Sequence, residues 1–113
     1  MSDTVMYSLG FALMGMMFVG LSIPLIRGKI PPNHCYGFRT PKTLSNEKIW
    51  YEANRVSGMD LFIAGSLITL TSVSMFVFAR SLEPKTVVLT LFSVMIFTLV
   101  GALVHGFVVL SKM

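Results

Sequence analysis

The chain has 113 residues, 54% hydrophobic and only 12% charged, with a formal net charge of +4 and a mean hydropathy of +0.76. That balance excludes an ordinary soluble domain, whose elements would alternate polar and apolar faces. The lone Cys35 excludes an intramolecular disulfide.

Three apolar runs carry the excess, at about residues 5–26, 59–79 and 86–110. A bilayer core needs about 20 predominantly apolar residues per helix, so each run is long enough to span. The pattern predicts an all-α integral membrane protein. It has one membrane domain over residues 1–113, with three transmembrane helices and a short amphipathic interfacial helix between the first and second.

The first run lacks a basic flank at its amino end and is too long for a signal-peptide core, so it is expected to be a permanent span. Ser8, Ala12, Gly15, Val19 and Ser22 recur along it at helical spacing. In a bilayer, small and hydroxylated residues of this kind mark helix–helix contact faces.

Arg27 and Gly28 should end that helix, and Pro31 and Pro32 should delay any restart. The motif loop, residues 27–45, reads as extended or turning. Asn33 favours a turn, Gly37 permits a positive φ, and Pro41 breaks the chain again. Within it Tyr36 and Phe38 flank an arginine, Arg39, whose planar donor fork suits phosphate or carboxylate. Two readings stand side by side. In one the loop is a recognition surface; in the other it is pinned by its aromatics, with Arg39 reaching lipid phosphate or Glu52.

Residues of about 46–57 change the pattern. Ser45 or Asn46 suits a helix cap with Glu47 in the first turn. Ile49, Trp50, Ala53 and Val56 recur on one face, and Gly58 supplies a stop. This segment is expected to lie flat in the headgroup region with Trp50 toward the acyl chains.

In the second span Gly65, Thr69, Ser72 and Ala79 form another small-residue stripe, and in the third Thr98, Ala102 and His105 share a face. Asp60 opens the second span and His105 lies toward the end of the third, so the two are candidates for a polar pair. Ionisable groups inside a membrane are functional candidates by default. Against that, Asp60 near a helix start would also act as a cap, and a single histidine can simply donate to a carbonyl.

Lysine and arginine concentrate in the first connection and the carboxyl tail. The positive-inside bias therefore predicts a cytoplasmic motif loop and carboxyl terminus, with the amino terminus outside. The same placement beside spans, near anionic lipid, accounts for the net charge without a nucleic-acid partner. No catalytic constellation emerges. Glu47 and Glu52 point away from each other on a helix, and His34–Cys35 is too small a donor set for a metal. No cofactor motif is present. The residues alone leave open a non-catalytic membrane protein, a small channel or transporter built as a homo-oligomer, and an enzyme of lipid headgroups.

Pro32-Asn33, Tyr36-Gly37-Phe38-Arg39-Thr40, Trp50 and Ala53-Asn54-Arg55 ahead of Gly58 resemble the signature of the SdpI family of small bacterial membrane proteins. The resemblance implies a multi-pass protein of the bacterial inner membrane. It further implies immunity to a secreted, membrane-active peptide toxin, a form of antimicrobial peptide resistance. Signalling, by drawing a transcriptional repressor to the membrane, is the namesake's second role. The binding positions it implies here are Asn33, Tyr36, Gly37, Phe38, Arg39, Thr40, Trp50 and Asn54, with membrane lipid, toxin and repressor as the implied partners. This chain is shorter than the namesake and has room for the three-span unit only, which bears more on signalling than on protection.

Overall fold

The computed structural model describes residues 3–78 and 81–113. Ala79 of the second stripe and Arg80 of the second connection lie outside the described residues. Four helices follow one another: α1 (Asp3–Ile26), α2 (Pro41–Ser45), α3 (Glu47–Phe78) and α4 (Pro84–Ser111), with no strand among the described residues. α1, α3 and α4 are each long and apolar enough to cross a membrane. Together they make an elongated bundle of 51 × 23 × 19 Å.

The amphipathic segment is not a separate helix. It forms the first three turns of α3, which runs unbroken through 32 residues. Gly58 does not stop it, because this glycine has no positive φ. Its missing side chain serves contact instead. A Cβ there would stand 3.0 Å from Leu25 Cβ and Ile26 Cγ1 and 3.1 Å from the Ser22 carbonyl oxygen, so α1 fits only against bare backbone. Asn46 does act as a cap, its side chain accepting from Ile49 N–H at 3.2 Å.

Pro41 likewise starts a helix where a break was expected. Thr40 and Thr43 form a reciprocal capping box around α2, and Pro41 occupies a first-turn position, where a missing N–H leaves no helical bond unmade.

α1 packs chiefly on α3, and α3 on α4. At the α1–α3 crossing two glycines face each other. A Cβ on Gly15 would lie 2.7 Å from the Gly65 carbonyl oxygen, and one on Gly65 2.6 Å from that of Gly15. Ser8, Gly15 and Ser22 of the α1 stripe are buried, as are Gly65 and Ser72 of α3. Gly10 and Gly20 face open space. Small residues therefore decide how closely the backbones approach, as expected where the surrounding solvent is hydrocarbon. The remaining faces present leucine, isoleucine, valine, methionine and phenylalanine outward.

Candidate functional site

The motif loop folds onto the end of the bundle that also carries the carboxyl terminus, and three helices hold it. Its first turn is local. Asn33 Oδ1 accepts from Cys35 N–H at 2.8 Å and Tyr36 N–H at 2.7 Å, while Nδ2 donates to the Pro31 carbonyl. The Tyr36 hydroxyl then donates to the Leu21 carbonyl of α1. Desolvation of this phenol raises its pKa above the ordinary 10.0.

Asn54 of α3 anchors the next step. Its Oδ1 accepts from Phe38 N–H at 2.6 Å, and its Nδ2 donates to the Trp50 carbonyl at 2.9 Å. Gly37 approaches closely enough that a Cβ would meet Asn54 Oδ1 at 2.7 Å, and its φ of +117° is one that side-chain-bearing residues rarely adopt. Trp50 closes the arrangement by donating its indole N–H to the Ile30 carbonyl at 2.8 Å. Trp50 is 0% exposed. Its expected role as a lipid-facing anchor is therefore corrected: the loop itself, not acyl chains, covers this apolar face, and the indole finds its polar partner there.

Contact with α4 comes from Phe38 and Lys42. The Phe38 ring lies over Gly106 and meets Phe107 edge-on, with centroids 5.2 Å apart. Lys42 Nζ donates to the Leu110 carbonyl at 2.8 Å, satisfying a helix-terminal acceptor with a positive charge. Thr43, wholly buried, donates to the Phe38 carbonyl at 3.0 Å. Neither Lys42 nor Thr43 was singled out from the sequence. The signal that would have found Thr43 is the Thr-Pro-x-Thr start of a capped helix.

Arg39 stands apart from this framework. It is exposed and donates one guanidinium N–H to the His34 carbonyl, and no bond joins it to Glu52. Among the described residues its fork makes no other hydrogen bond. Beside it Phe38, Leu103 and Phe107 line a shallow depression of about 200 Å³ that also reaches Thr40.

The second cluster lies deeper. Asp60 Oδ2 is 2.6 Å from His105 Nδ1, joining α3 to α4. Because α3 begins at Glu47, Asp60 lies more than three turns inside it and caps nothing. Among the described residues no group of three histidine, cysteine or carboxylate side chains gathers as metal ligands.

A family model described as the SdpI/YfhL protein family matches residues 29–111. The chain belongs to the SdpI/YfhL family. The matched region takes in residues 29–45 of the motif loop, with α2, α3 and α4, so every residue of both clusters except Leu21 falls within SdpI/YfhL territory. No curated protein and no solved structure matches the chain.

Proposed function

We propose that this chain is a non-catalytic immunity protein that protects a bacterial inner membrane against a membrane-active peptide toxin. Membership of the SdpI/YfhL family over residues 29–111 is the observation that carries this reading. In the proposed orientation the motif loop and carboxyl terminus face the cytoplasm, and the amino terminus lies outside. Asn33, Gly37, Trp50 and Asn54 build the platform. Tyr36 and Phe38 fasten it to the neighbouring spans, and Thr40 starts the helix that closes it. Arg39 makes the contact, offering its free donors to a carboxylate or phosphate. A repressor recruited to the membrane would meet the same basic surface, to which Arg27, Lys29, Lys48 and Arg55 also contribute exposed charge.

The test is survival and membrane potential of sensitive bacteria expressing the chain and challenged with an SdpC-type killing peptide. Wild type should protect, and Arg39→Ala should lose protection at equal membrane abundance, because an exposed side chain contributes little to folding. A well-inserted wild type that fails to protect refutes the immunity reading for that toxin. Full protection by Arg39→Ala refutes the role given to Arg39.

A further inference from the structure

Asp60 is the one acid among five that lies in the interior of a span; Asp3, Glu47, Glu52 and Glu83 sit at or near helix starts. It serves neither as a cap nor as a dipole partner, and such a residue in lipid calls for a specific use. His105 occupies one of its oxygens. Among the described residues no partner is recorded for the other. The imidazole bonds through Nδ1 and leaves Nε2 on a side chain that is 54% exposed, whereas Asp60 is 16% exposed.

A cleft begins at Asp60. Asp60, Ile63 and Leu67 of α3 and Phe97 and Gly101 of α4 line about 260 Å³ open at the surface between the two helices. A second depression shares Phe97 and Gly101 and ends at His105. Gly101 keeps the trough continuous, since nothing lies within 4 Å of where its Cβ would stand. Thr98, the other polar group in the wall, spends its hydroxyl on the Val94 and Met95 carbonyls. The cleft therefore offers a ligand one anionic head site and an apolar trough. From His105 to Phe97 the trough runs about 12 Å along α4, and His105 lies about 7.5 Å inside the level of Leu110, at 1.5 Å per residue. Interfacial amphipathic groups bury their apolar faces about 5–10 Å into the headgroup–acyl boundary, a depth comparable to that of His105.

We propose that the Asp60–His105 pair and the cleft leading from it form a membrane-accessible binding site for an ammonium group carried on a single apolar chain. The ammonium donates to the free Asp60 oxygen, His105 holds the carboxylate in place, and the chain lies over Gly101 against Phe97. Alcohols lack the charge and fatty acids carry the wrong one, so neither gains from the carboxylate. A metal ion would need more donors than the pair supplies, whereas an ammonium needs one carboxylate and a place for its tail. This site stands independently of the immunity reading.

The experiment uses the full chain in phosphatidylcholine nanodiscs with a spin-labelled long-chain primary amine, and with the alcohol and fatty acid of the same length. The motionally restricted fraction of each probe is measured by electron paramagnetic resonance. The amine should be retained several-fold over the alcohol. Asp60→Asn, which keeps an acceptor for His105, should bring it down to the alcohol's level without altering fatty-acid retention. Gly101→Leu fills the trough from an open position, leaves the pair intact, and should also displace the amine. Thermal unfolding of both variants checks that the bundle persists; if Asp60→Asn does not fold, Gly101→Leu alone decides. Equal retention of amine and alcohol by wild type overturns the proposal, as does undiminished amine retention in either folded variant.

Discussion

Replacing Asn54 by alanine removes the acceptor of Phe38 N–H and the donor to the Trp50 carbonyl in one step. Asn54 is 2% exposed, so water does not replace what is lost. The two carbonyls it touches keep other partners: Phe38 O still accepts from Thr43, and Trp50 O remains inside a helix. The Phe38 N–H has no such substitute. An orphaned buried donor costs about 1–3 kcal/mol and the vacated volume adds on the order of 1, giving an expected loss of about 2–4 kcal/mol. Equilibrium unfolding in detergent micelles measures that loss. The only tryptophan of the chain, Trp50, reports locally, because its ring lies under the same loop. Asn54→Ala should shift its emission to the red before global unfolding begins. A loss below about 1 kcal/mol with unchanged emission would refute the assignment of Asn54 as the loop's anchor.

The glycine crossing gives a paired test. Gly15→Ala should destabilise the bundle by about 1–3 kcal/mol, since the new methyl meets the Gly65 carbonyl, while Gly10→Ala in open space should be neutral or slightly stabilising. Equal effects at the two positions would contradict the packing described. Tyr36 predicts an alkaline limit. A phenol whose folded pKa is raised favours the folded state below the ordinary 10.0 and loses that contribution as pH rises from there through the folded value. Ultraviolet phenolate titration, differenced against Tyr36→Phe, should place Tyr36 above the ordinary 10.0, with unfolding following at higher pH; a normal Tyr36 titration would refute its desolvation.

Much of this architecture is legible in the residues, because a bilayer imposes length and hydropathy on each span. Three spans, the small-residue stripe of α1 and the cap at Asn46 all follow from local rules. Gly58 and Pro41 mislead for one shared reason. Each residue has two structural uses, glycine as helix stop or contact point and proline as breaker or first-turn residue, and only the neighbour in space selects between them. Trp50 misleads differently: an apolar face beside a span looks the same whether lipid or a folded-back loop covers it. Asn33, Tyr36, Gly37, Phe38 and Asn54 stand out as a motif, but a sequence does not tell which motif residues build a platform and which one it presents. The Asp60–His105 contact joins positions 45 apart; span order makes the pair a candidate, and only the packing of α3 against α4 brings the two side chains together.

The unbroken course of α3 turns it into a lever. Trp50 stands 15 residues beyond the Gly65 contact, about 22 Å along a rigid rod, so a tilt of about 10° there carries the loop end through roughly 4 Å. Transmembrane helices tilt when the hydrocarbon around them thickens or thins. Here such a tilt would pull on Tyr36, tied to α1, and Phe38, lodged on α4, because the loop is bolted to all three helices. A change in bilayer thickness that tilted α3 in this way would therefore move the surface on which Arg39 is displayed.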